Sequence, residues 1–365
     1  MVNWFIKGGF VWLVLLAACS PETRNTEKMV RLDQLREQAA IEMTDLNRAI
    51  RSSPKEAGLY KLRGRLHLGQ KQFNAALEDL DEALKLQPEQ GETHYLRARA
   101  LRALKKTPEA QASVRQAIEL RFVSADVHVL AGEINLALKE EKQALRHLNE
   151  ALKLNPENGY AYYYKGLALA ASGDTLQALG QLKQSIHREN QFVPGYRALA
   201  RLYHSLKVYE PARHYVKEAL ALEPRNGQLW FLAGLTYEGL SSLDSASLSY
   251  RKAASFDPDL QQEAAYRQAH MAFGQRDYGK AIQYLLPVLE EDHSLQSVRW
   301  MLAQSYEKHG KWREALAHYQ VLKDNNPTDR KANSSYWQLY QRLNMTRPVA
   351  PSIELIENKN PFSAR

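Results

Sequence analysis

The chain holds few side chains whose type and spacing could support catalysis. Its one thiol is Cys19, so neither an internal disulfide nor a cysteine-based zinc site can form. The histidines are scattered, as at His67, His128 and His214, and none forms a metal-binding helical pair with a catalytic glutamate. The sequence also lacks a phosphate-cradling glycine loop and a nucleophile elbow. We therefore expect no enzyme activity, no catalytic residues, no metal and no cofactor.

The position of Cys19 indicates its chemistry. It follows a short apolar segment, residues 8–18, with Lys7 just upstream, which is the charge-then-apolar order of an export signal. The segment is shorter than the stretch of about 20 apolar residues that a membrane-spanning helix needs. Residues 16–19, Leu-Ala-Ala-Cys, resemble the lipobox of bacterial lipoproteins. That resemblance implies a signal peptide over residues 1–18 and acylation of Cys19, which anchors the chain to a membrane.

The residues after the anchor are polar and include Pro21, so residues 19–27 are predicted to form a flexible tether. Ser20, rather than aspartate, follows the cysteine, which is similar to the lipoprotein pattern for transport to the outer membrane. The resemblance implies a lipid-anchored protein of the cell envelope. In a cell with two membranes it would lie on the outer membrane and face the periplasm.

Composition indicates a helical protein with a mild positive charge. Hydrophobic residues make up 44% and charged residues 25% of the 365 residues, and good helix formers dominate. The formal net charge of +8 is compatible with a solvated exterior, an acidic partner or an anionic membrane surface. A nucleic-acid partner is not expected, because the export signal directs the chain to a compartment where nucleic acid is scarce.

A fixed period organises most of the sequence. An alanine is followed four residues later by a bulky residue and seven residues later by a small or aliphatic one, often with a proline five residues further on. The step between leading alanines is 34 residues, except for 35 between Ala246 and Ala281. The leading alanines are Ala76, Ala110, Ala144, Ala178, Ala212, Ala246, Ala281 and Ala315. Such a period is typical of repeat architectures.

The sixth repeat carries the most complete version of the pattern. Its residues are Trp230, Gly234, Tyr237, Ala246, Tyr250, Ala253 and Pro258. This combination resembles the tetratricopeptide repeat, a helix-turn-helix unit. The resemblance implies an all-α fold, an α-solenoid superhelix with about eight repeats over residues 57–329. Helical patterns at 28–56, which resembles half a repeat, and at 330–344 predict capping helices, and residues 345–365 form a proline-containing tail.

The spacing also predicts how the helices pack. Glycine or alanine on the first helix of a repeat lets the second helix approach closely, and the terminal proline stops the second helix. Two repeats depart from the pattern with Phe122 and Asn190 in place of that proline. The seventh repeat carries Pro287 inside its second helix and His293 at the terminal position, which predicts a kink or a looser seam near residues 286–294.

The resemblance also implies a binding groove, because the first helices of such repeats line the concave wall. Carrying over the groove-facing repeat positions gives Lys61, Arg65, Tyr95, Arg99, Arg102, Tyr160, Tyr163, Arg197, Arg201, Phe231, Tyr266 and Trp300. Arginine and aromatic side chains are enriched in binding hot spots. We expect an extended, partly acidic polypeptide segment in the groove. In the alternative interpretation, the aromatic rings pack between helices and the arginines are solvated.

These features predict a lipid-anchored scaffold that recruits a protein partner to an envelope complex such as a pilus, a secretion system or cell-wall machinery. The alternative function is an accessory protein that binds glycan or peptidoglycan fragments through the aromatic positions. Both predictions involve the membrane only through acylated Cys19, and neither involves a small-molecule cofactor.

Overall fold

The computed structural model describes residues 43–345, and all regular structure in this stretch is helical. The all-α prediction is therefore confirmed. By contacts between Cα atoms the chain divides into two compact units, Met1–Ala168 and Leu169–Arg365. No helix among the described residues is long and apolar enough to cross a bilayer.

In the first unit, α1 covers 43–52. The helices after it are α2 (Ala57–Gly69), α3 (Phe73–Leu86), α4 (Gly91–Ala103), α5 (Thr107–Glu119), α6 (Ala125–Ala137), α7 (Glu141–Leu154) and α8 (Gly159–Ala171). They pack as the pairs α2/α3, α4/α5 and α6/α7, and each pair contacts the next through α3/α4 and α5/α6. Contacts α2/α4 and α4/α6 place successive first helices side by side.

The second unit continues the same pattern after the end of α8. Its helices are α9 (Thr175–Arg188), α10 (Val193–Ser205), α11 (Tyr209–Leu222), α12 (Gly227–Gly239), α13 (Leu243–Phe256), α14 (Gln261–Gly274), α15 (Tyr278–Glu291), α16 (Gln296–Lys308), α17 (Trp312–Asn325) and α18 (Arg330–Met345). A 3₁₀ turn, Pro258–Leu260, precedes α14. Each helix contacts the next one along the chain from α9 to α18.

Glycine allows the close approach of the two helices within a repeat. A Cβ atom at Gly64 would lie 2.9 Å from Cγ of Leu80, and one at Gly132 would lie 2.5 Å from Cγ of Leu148. At Gly234 the nearest atom would be Cε1 of Tyr250, at 2.5 Å. These distances are too short for a Cβ contact, so the helices approach as closely as the sequence pattern predicts.

The turn between the two helices of every repeat contains one residue with a left-handed backbone. These residues are Lys71, Lys105, Lys139, Gly173, Lys207, Ser241, Arg276 and Gly310. Their spacing repeats the sequence period. The next amide closes the turn by donating to a carbonyl five residues back, as from Gln72 to His67 at 2.9 Å. This bond satisfies a carbonyl at the helix end and helps to offset the cost of a left-handed lysine.

Two of the three repeats without a terminal proline end their second helix in a different way. Arg121 and Gln191 adopt positive φ values of 57° and 58° beside Phe122 and Asn190. The amide of Phe122 donates to the carbonyl of Ala117 at 3.0 Å. In these two repeats a left-handed residue reverses the chain where no proline stops the helix. The third such repeat has His293 at the terminal position.

The start of the first helix is tied to the preceding turn in several repeats. The side chain of the fourth residue of the first helix donates a hydrogen bond to the backbone carbonyl of the residue six positions earlier. The pairs are Tyr60 to Pro54, His94 to Pro88, Trp230 to Pro224, Arg299 to His293 and Asn333 to Pro327, at 2.7–3.1 Å. Such bonds satisfy carbonyls that the turn leaves without a helical partner.

The looser seam expected near Pro287 is contradicted by close packing there, whereas the expected kink stays a prediction. Helix α15 continues through this residue to Glu291. Leu285, Val288 and Leu289 on α15 are buried in one hydrophobic cluster with Val298 and Leu302 on α16. Apolar burial on both sides of the proline holds the helix in place despite the amide that the proline lacks.

Several predicted segments lie outside the described residues. These are the signal peptide at 1–18, Cys19 with the tether at 19–27, residues 28–42 of the N-terminal cap, and the tail after residue 345. Inside the described range, α1 lies in the predicted N-terminal cap and α18 occupies the position of the predicted C-terminal cap.

Candidate functional site

The first unit contains a groove whose walls are the first helices of successive repeats. It encloses a cavity of about 390 Å³ between α4, α6 and α8. The lining residues are Tyr95, Arg99, Arg102, Asp126, Val129, Leu130, Glu133, Asn158, Tyr160 and Tyr164. Tyr95, Arg99 and Arg102 stand at helical spacing, so α4 presents them on one face. The cavity thus brings together four of the predicted groove residues, these three and Tyr160.

Glu133 is the central carboxylate of this groove. It accepts a hydrogen bond from Nη1 of Arg102 at 2.8 Å and a second one from the hydroxyl of Tyr164. Burial raises the pKa of Tyr164 well above its usual range, and the neighbouring carboxylate raises it further. Tyr164 therefore remains a neutral donor, and the charge of Arg102 is already matched inside the protein.

Arg99 differs from Arg102 because it forms no ion pair with any described residue. Its guanidinium lies 5.7 Å from the ring centroid of Tyr95, within cation–π range, and its side chain is exposed. The Tyr95 ring is fixed from behind by Phe122, with the two centroids 5.4 Å apart. The groove therefore presents a positioned cation over an aromatic face.

The first repeat shows the same division between paired and unpaired cations. Lys61 on α2 donates to Oε2 of Glu92 on α4 at 2.7 Å, whereas Arg65 is exposed and forms no ion pair with residues 43–345. Both ion pairs, Lys61–Glu92 and Arg102–Glu133, join residues 31 positions apart. Sequence reasoning missed them, although this recurring separation of a cation and a glutamate was visible.

The second unit uses its groove positions in another way. Arg197 and Arg201 on α10 form no ion pair with any described residue. The rings of Phe231 and Trp300 lie 5.4 and 5.5 Å from the rings of Tyr250 and Tyr319 in the same repeats. Phe231, Tyr266 and Trp300 are partly buried against the hydrophobic clusters. These three aromatic residues pack between helices, as in the alternative interpretation of the sequence.

Two glutamates of the second unit face buried tyrosines. The hydroxyl of Tyr250 donates to Oε2 of Glu238 at 2.7 Å, and that of Tyr319 donates to Oε2 of Glu307 at 2.8 Å. Burial, followed by the hydrogen bond to the carboxylate, raises the pKa of both tyrosines. The sequence signal is a glutamate twelve residues before a tyrosine in the same repeat.

Two further predicted positions need separate description. Tyr163 on α8 does not line the cavity, and its ring packs edge-on against Tyr164 with centroids 5.0 Å apart. Among the described residues, no group of three or more His, Cys, Asp or Glu side chains could hold a metal ion.

The family of the chain follows from its sequence and its helix pairs together. Family models described as tetratricopeptide repeat match residues 61–121, 142–192 and 263–332 in one case, and 125–158 and 227–260 in another. These matches together cover more than half of the chain. The protein belongs to the tetratricopeptide repeat family, and its fold is the all-α solenoid of that family.

Solved structures agree on the fold. The type IV pilus biogenesis factor PilW is 21% identical with a TM-score of 0.52, and the match covers 55% of this chain and 94% of PilW. The C-terminal part of a TPR protein from Cytophaga hutchinsonii is 16% identical with a TM-score of 0.57, covering 66% and 98% of the two chains. A chain of the APC/C hetero-tetramer Cut9–Hcn1 is 16% identical with a TM-score of 0.50, and the match covers 81% of this protein and 58% of that chain. No curated protein sequence gives a significant match.

Proposed function

We propose that this protein is a lipid-anchored scaffold whose groove in the first unit binds an extended segment of a partner protein during assembly of an envelope complex. Tetratricopeptide repeats form protein-interaction scaffolds, so protein binding follows from the family. The anchor is supported by the lipobox at residues 16–19. The observation that carries the site is Arg99, an exposed cation that lies over Tyr95 and has no carboxylate partner among residues 43–345.

The surroundings of Arg99 define the ligand that fits. A carboxylate on the partner would pair with the guanidinium, while the partner's backbone or an apolar side chain would contact Tyr160 and Val129 in the same cavity. Arg102 and Lys61 contribute less, because internal glutamates already neutralise them. Among the predicted groove residues of this unit, the cations without an internal carboxylate partner are therefore Arg65 and Arg99. The ligand of choice is a segment with a few well-spaced acidic residues.

The envelope machine is proposed from the lipoprotein signal together with the shared fold. The solved structure of PilW is of a type IV pilus biogenesis factor, so pilus assembly is the first machine to test. Secretion systems and cell-wall enzyme complexes are the next. Glycan binding has less support, because Phe231, Tyr266 and Trp300 are partly buried and leave less ring surface for a sugar.

Crosslinking in living cells tests the proposal. A photoreactive amino acid replaces Tyr160 in the full chain, and captured proteins are identified. We expect Arg99→Glu to weaken capture by about tenfold, the loss that a hot-spot charge of about 1.4 kcal/mol produces. The matched control is Lys142→Glu. It reverses the charge at an exposed position on α7, the second helix of the third repeat. Equal capture by Arg99→Glu and wild type would contradict the proposed site.

Two further variants of the crosslinking experiment test the lipid anchor and the chemical class of the ligand. Cys19→Ser is expected to release the chain from the membrane fraction while leaving binding in solution unchanged. Protease treatment of the envelope extract should abolish capture of a protein ligand. Capture that survives the protease treatment would favour the glycan alternative.

A further inference from the structure

One pair of side chains in the first unit has no role in the groove. His128 lies on α6 at the repeat position where other repeats donate to the carbonyl six residues earlier. Instead, Nδ1 of His128 faces Nδ1 of His147 on α7 at 3.3 Å. The two rings lie nearly parallel, with centroids 5.6 Å apart and planes 27° apart. This repeat thus brings two imidazole nitrogens together at the position where several other repeats anchor a turn.

The distance between the two nitrogens matches that of two ligands on one ion. Zinc–nitrogen bonds of about 2.0–2.1 Å at a tetrahedral angle place two ligand nitrogens about 3.3–3.4 Å apart. Without an ion, the two Nδ1 atoms form a hydrogen bond only when one imidazole carries its proton on Nδ1 and donates it to the other. An ion can take the place of that proton once both rings carry their proton on Nε2, which leaves two lone pairs on the facing nitrogens.

The surroundings leave room for the remaining ligands of an ion. A cavity of about 840 Å³ adjoins both rings and is lined by His128, Arg146, His147, Asn149, Glu150, Leu152 and Lys153. Glu150, one turn after His147, supplies negative charge near both imidazoles, although Lys153 is paired with it at 2.6 Å. The positive charge of Arg146 repels a metal cation, so the affinity for the ion depends on its bonds to Nδ1 of His128 and Nδ1 of His147.

The donor chemistry of the two rings favours a late first-row ion. Neutral imidazole is the form that binds metals, and it suits zinc, copper and nickel.

The geometry points to a two-histidine site for a late first-row divalent ion such as Zn²⁺, with His128 and His147 as protein ligands and water in the other positions. No group of three or more potential ligands occurs among residues 43–345, so water must complete the coordination. An ion held by both rings would join α6 to α7 and stabilise the third repeat.

Titration of the full chain with Zn²⁺ against a colorimetric chelator tests this site, with Cys19→Ser in every sample so that the thiol cannot compete. We expect one equivalent of Zn²⁺ per chain. His128→Gln and His147→Gln should each weaken binding by about tenfold or more, since each removes one of two protein ligands. His187→Gln, at an exposed histidine of α9, is the matched control and should bind as tightly as the parent protein.

Two further measurements keep the result independent of variant folding. Zn²⁺ should raise the Tm of the parent protein by about 2–5 °C, and this rise should vanish in both variants. In the parent protein, nitrogen NMR of the imidazoles should show Zn²⁺ shifting Nδ1 of two histidines only. Absence of Zn²⁺ binding, or equal binding by the parent protein and both variants, would overturn the site.

Discussion

The two units build the same helix pairs but neutralise their groove carboxylates differently. In the first unit, Glu92 and Glu133 accept cations from the preceding repeat, Lys61 and Arg102. In the second unit, Glu238 and Glu307 accept the hydroxyls of tyrosines in their own repeat. The difference follows from the residue that packs against the first helix.

Leu80 and Leu148 fill the close-approach site in two repeats of the first unit, whereas Tyr250 and Tyr319 stand at the same position in two repeats of the second. A leucine brings no polar atom into the seam, so a groove glutamate remains available for a neighbouring repeat. A buried tyrosine brings a hydroxyl that needs a partner, and the glutamate of the same repeat supplies it. The described ion pairs of Glu92 and Glu133 therefore join repeats in the first unit, whereas the hydrogen bonds of Glu238 and Glu307 stay within a repeat in the second.

The largest effect is expected where the tyrosine leaves least room. Gly234→Leu should lower the free energy of unfolding by about 1–3 kcal/mol, because the new side chain overlaps the Tyr250 ring. Gly64→Leu should cost less, since Leu80 can change rotamer more freely than a ring held by a hydrogen bond. Urea unfolding of the variants measures both.

The matched control for this pair is Gly180→Leu on α9, where a new Cβ meets no atom within 4 Å. It should leave stability unchanged or raise it by up to about 1 kcal/mol through helix propensity. If Gly234→Leu were as stable as the wild type, the helices that meet at Gly234 and Tyr250 would have more space between them than those that meet at Gly64 and Leu80.

A smaller effect is expected from the hydroxyl itself. Tyr250→Phe should cost about 1 kcal/mol, the net value of a hydrogen bond to a partly exposed carboxylate. A double-mutant cycle with Glu238→Gln should show coupling between the two side chains, and added salt should change it little, because the donor is buried. Additive losses in the cycle would remove the proposed pairing within the repeat.

The smallest effect is expected from the ion pair between repeats in the first unit. Arg102→Met should cost about 0.2–1 kcal/mol, because both partners are partly exposed. Screening should reduce this loss in about 1 M NaCl. The unfolding midpoints of Arg102→Met and Tyr250→Phe are compared at low and high salt. A loss of stability in Arg102→Met that persisted at high salt would contradict the proposed difference between the units.

Much of the fold could be predicted because the same residue types occupy the same packing positions in many repeats. Gly64, Gly132 and Gly234 stand where helices come into closest contact, and each occurs at the same place in its repeat. The helix-stopping role of proline was equally visible. The seam at Pro287 was mispredicted because local sequence shows the missing amide but not the buried side chains that hold α15 in place.

The candidate site was only partly predictable. The repeat register predicts that Tyr95, Arg99, Arg102 and Tyr160 face the groove, and these four side chains line one cavity. It did not show that Glu133 neutralises Arg102 while Arg99 keeps its charge for a ligand, since pairing depends on distances between helices of different repeats.

By itself, the sequence determined the period and the helical class, because a helix pair that recurs every 34 residues must repeat its buried face as well. Only the tertiary structure decided which groove charges are matched internally, which aromatic rings are packed away and which histidines meet. These outcomes depend on contacts between neighbouring helices. A small change in the distance between two helices can give a side chain a different partner while the repeat pattern of the sequence stays the same.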